Sequence, residues 1–169
     1  SIEDPITDYL PEWKNQDQDK ILLKHLLSMR SGMEDHGFVY VVPDMVSHSL
    51  DRDIIRPPGV AFRYSNEDSM LLGEIIENAT GMSFQEYADK KLFNLIGADE
   101  TWWTDQEGNT ISYASIDMTP REFAKFGLMI AQEGSWQGQQ IVSSDWVELA
   151  TSKYDDLMSY GFQWWTSET

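Results

Sequence analysis

Apolar positions along this chain fall into short groups at helical spacing, divided by Gly and Pro. Residues 1–18 form an acidic opening stretch in which Pro5 and Pro11 disfavour helix just before them. Asp19 then begins a pattern that sets Ile21, Leu22, Leu26 and Met29 on one face, and Gly32 stands where a C-cap belongs. Residues 33–43 are ambiguous, because Phe38-Val39-Tyr40-Val41-Val42 reads equally as a short strand or a packed loop. Pro43 suits the first turn of a short helix over roughly 44–50. Pro57-Pro58-Gly59 is a firm break.

The clearest helix follows. Ser65 can cap it, Asp68 stands where a capping box needs it, and Leu71, Leu72, Ile75, Ile76 and Ala79 make its apolar face up to Gly81. Ser83 with Glu86 repeats the capping box for a helix through about Phe93, with Gly97 just beyond. Residues 98–118 read as a long loop carrying Trp102 and Trp103, and long loops inside compact domains often carry function. Thr119, Pro120 and Glu122 start another helix, with Phe123, Phe126 and Ile130 inward and Gly134 as its stop. A turn over 135–140 and a short helix near 144–151, carrying Trp146, Val147 and Ala150, complete the helical part. Tyr160, Phe162 and Trp164 alternate like a strand. The pattern predicts a mainly α chain with few short strands. Residues 1–169 form one partial domain, with a helical subdomain over about 19–151 and a strand-like segment over 159–166.

Composition narrows the function classes. Hydrophobic residues make up 41% of the chain, enough for a core. A formal net charge of −17 repels polyanions, so nucleic acid and anionic membrane are poor partners. The acids are scattered along the chain, which fits a solvated surface better than a cation site. Cys is absent, which excludes disulfides, thiolate nucleophiles and zinc–thiolate sites. His25, His36 and His48 show no His-x-x-x-His spacing, so neither a metal nor a cofactor is expected, and His25 reads as a surface or rim residue. No apolar run approaches a membrane span.

The sharpest local feature is Tyr64-Ser65-Asn66 after the Pro57-Pro58-Gly59 break. A Tyr hydroxyl can relay a proton if its surroundings bring its pKa down from about 10. Asn66 offers both a donor and an acceptor to a substrate amide. Taken alone, Ser65 is simply a cap and Tyr64 a packed ring. The paired Trp102-Trp103 and Trp164-Trp165 could stack on a sugar or peptide, although core or cleft packing explains them as well.

Several stretches together carry a resemblance. ILLKHLLSMRSGM (21–33), PPGVAFRYSNEDSMLLGEIIENATGMSFQEYADKKLFNLIGA (57–98), MTPREFAKFGLMIAQEGSWQGQQIVSSDWV (118–147) and YGFQWW (160–165) resemble, in order and spacing, the central part of the serine β-lactamase-like superfamily. The flavour is that of its esterase, D-amino-peptidase and 6-aminohexanoate-dimer-hydrolase branch. The resemblance implies the helical domain of a β-lactamase/transpeptidase-like α+β fold, with most of the sheet missing. It also implies acyl-enzyme chemistry on a small-molecule or peptide-like ester, amide or β-lactam. On that pattern Tyr64 would be the general base or proton relay, Asn66 would position the Lys and the substrate, and Trp102 and Trp103 would sit near the cleft rim. Family members occur in both the bacterial periplasm and cytoplasm, so location stays open.

The departures weigh as much as the matches. No Ser is followed three positions later by Lys, and neither Lys-Thr-Gly nor His-Thr-Gly occurs. On the family pattern those motifs would fall just before Ser1 and just after Thr169. The expectation is therefore a truncated hydrolase, inactive alone, with an apolar face that drives self-association and a 160–166 strand edge as a route for pairing. The alternatives are a non-catalytic binding module derived from the family and a carbohydrate-binding domain that uses exposed Trp.

Overall fold

A computed structural model describes residues 1–14, 16–34 and 39–166. The described residues are helix-rich with few short strands. Three 3-10 turns, Ile6–Asp8, Pro11–Trp13 and Asp17–Lys20, lead to helix α1, Leu23–Leu27. After a further 3-10 turn at Val39–Val41 come α2 (Met45–Leu50) and the long α3 (Asn66–Thr80). Helix α4 (Phe84–Ala88) runs through a π-helical turn, Asp89–Phe93, into α5 (Asn94–Ile96). Strands β1 (Thr101–Trp102) and β2 (Ile116–Asp117) pair antiparallel, so the expected 98–118 loop is an excursion closed by a small ladder. Helix α6 (Pro120–Ala131), the hairpin β3–β4 (Ser135–Trp136, Gln139–Gln140) and α7 (Ser144–Thr151) follow.

Local chemistry explains the helix starts. The side chains of Asp44, Ser65, Ser83, Thr119 and Ser143 each accept a backbone N–H three residues on, which satisfies a donor the helix itself leaves open. Asp44 is the cap of α2, and Pro43 lies outside that helix. Ser83 and Glu86 form the reciprocal capping box. Gly81, at φ 68, closes α3 in the left-handed conformation that such caps favour.

Three apolar clusters hold the described residues together. Ile6, Leu10, Trp13, Ile21, Leu26, Met33, Leu71 and Ile75 pack the opening stretch and α1 against α3. Val39, Met45, Met70 and Ile111 join α2, α3 and the 98–118 excursion. Phe93, Ile96, Ala98 and Met129 join the α4–α5 arm to α6.

Four expectations are corrected. The helix expected from Asp19 to Gly32 is only Leu23–Leu27, preceded by a 3-10 turn. It closes in a Schellman arrangement, with Arg30 N donating to His25 O (2.7 Å) and Met29 N to Leu26 O (3.2 Å). The left-handed residue is Met29, at φ 58, and Gly32 lies beyond it. His25 is buried, not a rim residue: its Nδ1 accepts Leu22 N (3.1 Å), and burial lowers its pKa. On α6 the fully buried side chain is Met129, while Phe123 is 61% exposed. The 159–166 segment is a tight turn, not a strand. Tyr160 and Trp165 meet as one isolated bridge, Gly161 N donates to Trp164 O (2.8 Å), and Phe162 N bonds Ala150 O (2.9 Å) of α7. No strand edge exists there for self-association. Of the ambiguous 33–43 stretch, Val39–Val41 is a 3-10 turn, and Phe38 lies outside the described residues.

One glycine yields a direct test. Gly134, at φ 82, donates to Met129 O (2.9 Å), while its own carbonyl accepts Ile141 N and Val142 N. A Cβ there would lie 2.1 Å from Val142 O. Gly134→Ala is expected to cost at least about 2 kcal/mol, combining left-handed strain with a backbone clash. Urea unfolding measures it, and an unchanged midpoint would contradict this reading of the α6 stop.

Candidate active site

Tyr64, Ser65 and Asn66 sit where the break at 57–59 turns into α3. The backbone on both sides of Tyr64 is gripped by Met29, whose carbonyl accepts Arg63 N (2.9 Å) and whose sulfur accepts Ser65 N (3.4 Å). The left-handed Met29 is thus what lets α1's end meet the start of α3.

Below the turn, Asp68 is fully buried. Its carboxylate accepts Ser31 Oγ (2.6 Å) and Ser65 Oγ (3.1 Å), while its own N–H donates to Ser65 Oγ (3.0 Å). Asp68 therefore does more than complete a capping box; it ties the post-α1 loop to the Tyr64–Asn66 turn. Burial pushes its pKa up to about 7, opposed by the two serine hydroxyls and reinforced by the neighbouring Glu67 charge. Glu67 is also buried, with His48 Nε2 3.9 Å from its carboxylate.

Above the turn lies an aromatic wall. Tyr64 is 49% exposed, and its ring stacks on Trp165 (5.9 Å between centroids, 17°) and meets Tyr160 edge-on (6.5 Å). Trp165 meets Tyr160 edge-on at 5.0 Å, and Phe62 packs on both. Behind the wall, the buried Arg30 pairs with Asp155 (2.8 Å), and its guanidinium lies over Phe62 (5.9 Å) and Tyr154 (5.3 Å). Asn66 Nδ2 donates to Tyr40 Oη (2.6 Å), and Tyr40 meets Tyr113 edge-on at 5.5 Å.

Tyr64 and Asn66 thus flank the Ser65 cap, Tyr64 against Trp165 and Tyr160 and Asn66 against Tyr40. Trp102 is half-buried against Phe84 (5.1 Å) and Phe93 (6.5 Å), while Trp103 is 59% exposed and its Nε1 donates to Asp117 (2.8 Å). Among the described residues, no ring contact links either Trp to Tyr64. Sequence reading missed Tyr40, Tyr160 and the linking role of Asp68, and weighed Trp165 only as a stacking or packing ring, not as the partner of Tyr64. Among the described residues no group of three or more His, Cys, Asp or Glu could hold a metal ion; His36 lies outside them. No helix of the described residues is long and apolar enough to cross a membrane.

The sequence profile of the Beta-lactamase family matches residues 1–168. The chain belongs to this family. It is 25% identical over 197 residues to the 6-aminohexanoate-dimer hydrolase of Paenarthrobacter ureafaciens, covering 95% of this chain and 50% of that protein. It is 28% identical over 110 residues to a β-lactamase of Escherichia coli, covering 60% of this chain and 28% of that protein. Solved structures share the fold. A Bacillus anthracis protein provisionally assigned as a 6-aminohexanoate-dimer hydrolase superposes with a TM-score of 0.85 at 21% identity, over 98% of this chain and 52% of that one. The octameric penicillin-binding protein homologue of Pyrococcus abyssi gives 0.72 at 20% identity, over 96% and 47%. This member of the Beta-lactamase family spans about half the length of the curated relative it matches over nearly its whole length.

Proposed function

We propose that these 169 residues are the central portion of a serine hydrolase that cleaves an ester, amide or β-lactam through an acyl-enzyme, and that they are inactive alone. The observation that carries this reading is the Tyr64–Asn66 turn, presented on α3 beside an open aromatic wall. In this reading Tyr64 relays the proton of a serine nucleophile, and Asn66, held by Tyr40, orients the nucleophile's Lys and the substrate. The nucleophile and its Lys come from outside this chain, since no Ser-x-x-Lys occurs within it. In this reading exposed Trp103, on the same excursion that brings Tyr113 to Tyr40, would help shape substrate entry.

A fluorophosphonate probe read by mass spectrometry tests the division of labour. This chain is expected to stay unlabelled, and a longer chain carrying the missing motifs is expected to react at a Ser outside it. Labelling of any Ser within 1–169 would overturn the proposal. In that longer chain Tyr64→Phe is expected to lower kcat by roughly 10²–10⁴.

Self-association of the isolated chain is part of the same proposal. Support comes from exposed Phe123, Leu128, Leu149 and Leu157, and from an apolar cavity of about 390 Å³ lined by Leu23, Leu27, Leu72, Ile76 and Trp146. Sedimentation should show a dimer or larger species, and a monomer at high concentration would count against it.

A further inference from the structure

Gln163 is a position where backbone and side chain disagree with local preference. It has φ 63, a left-handed conformation that costs a non-glycine residue about 1 kcal/mol or more and persists only where its surroundings impose it. Those surroundings are specific. Its N–H donates to Leu27 O (2.9 Å), and its Nε2 donates to Leu26 O (3.2 Å) and Leu27 O (3.3 Å). Its Oε1 accepts Ser69 Oγ (2.7 Å). Both amide hydrogens and the amide oxygen are used. The bonds to Leu27 occupy a carbonyl at the end of α1, and the bond to Leu26 adds to a carbonyl that already accepts Met29 N. The bond to Ser69 reaches α3 little more than one turn below Tyr64.

Gln163 lies at the apex of the turn whose two arms carry Tyr160 and Trp165. These are the two rings in contact with Tyr64. The wall residue Trp165 is itself 61% exposed, so burial does little to fix it. Its arm is anchored to the helices that carry the site by the Gln163 backbone N–H and, reaching both α1 and α3, by the Gln163 side-chain amide.

We propose that Gln163 is a positioning residue: by bridging the end of α1 to Ser69 of α3, it fixes Trp165 against Tyr64 and so sets the orientation of the Tyr64 ring. The proposal rests on the reading of Tyr64 as the proton relay for its functional meaning, but its geometry stands apart from that reading.

The test uses the full chain and the indole N–H resonance of Trp165, assigned by its loss in Trp165→Phe. Tyr64→Leu reports where that resonance moves when the stack is removed. Gln163→Ala and Gln163→Gly are expected to move it to the same place, while amide resonances of α6 stay put. The Gly variant keeps the left-handed backbone at no steric cost, so it isolates the side chain. Gln163→Glu, which loses both amide donors, and Ser69→Ala, which loses one bond, are expected to shift it part of the way. They also keep the test decisive if Gln163→Ala fails to fold. A Trp165 resonance unmoved in the Gly and Glu variants overturns the proposal. If it moves as expected while Tyr64→Phe leaves the longer hydrolase at full rate, the positioning role stands and the proton-relay reading falls.

Discussion

Lowering the pH from 8 to 5 is expected to stabilise this protein relative to its Asp68→Asn variant by roughly 3 kcal/mol, about 1.4 kcal/mol for each pH unit between them that lies below the folded pKa. Asp68 has a folded pKa of about 7 against 3.8 when exposed. The native state therefore binds the proton that the unfolded chain has released, throughout the window from about 4 to about 7. Stability from this group is fully present below the unfolded value and is lost as pH rises through 7. An Asn keeps an oxygen for Ser31 and Ser65 but cannot titrate, so its stability lacks this pH dependence. Glu74 and Glu100, also raised chiefly by burial, act in the same direction in both proteins. His25 opposes them: burial lowers its pKa, so below its usual 6.5 the unfolded chain gains a proton that the native state resists. Because those groups are common to both proteins, the comparison isolates Asp68. Urea unfolding at the two pH values decides it, and parallel pH profiles would mean that Asp68 stays ionised in its pocket.

Arg30→Ala is expected to cost roughly 2–3 kcal/mol, below the range for breaking a fully buried ion pair because Asp155 is partly exposed to water. The side chain is 2% exposed. It pairs with Asp155, donates to Val60 O (3.3 Å), and fills the space between Phe62 and Tyr154. Removing it leaves a cavity under the aromatic wall as well as an unpaired carboxylate. Arg30→Lys is expected to recover little, since a point charge cannot lie flat between two rings while bonding Asp155. Calorimetric melting of both variants measures the loss, and a cost below about 1 kcal/mol would show the pair to be dispensable.

What could be read from the sequence divides by the range of the interaction. Ser65, Ser83 and Thr119 announce their helices because a cap bonds a donor only three residues away. The early end of α1 was hidden because Met29 turns left-handed to place its carbonyl and sulfur on residues 63 and 65, and no local pattern encodes that. Tyr160, Phe162 and Trp164 alternate like a strand, yet Tyr160 and Phe162 reach the interior from a turn held by Gln163. For the site, the motif pointed to Tyr64 and Asn66. Their partners Trp165 and Tyr40 come from distant segments, so only the folded chain unites them. The same limit explains His25, whose burial depends on its tertiary surroundings.

The π-helical turn at Asp89–Phe93 bears on how this chain tolerates insertions and deletions. Such a turn holds more residues than an α-helical one, and each residue rotates a helix by about 100°. Phe93 and Ile96, three residues apart, share one face and meet the cluster of Met129. The π turn already absorbs one extra residue, so losing one here would regularise the helix and keep that face, while gaining another would swing both side chains off the cluster. Insertions in relatives should therefore gather in the 104–110 excursion, where strand pairing is already interrupted, and avoid the 84–96 arm, whose register is set by what it faces.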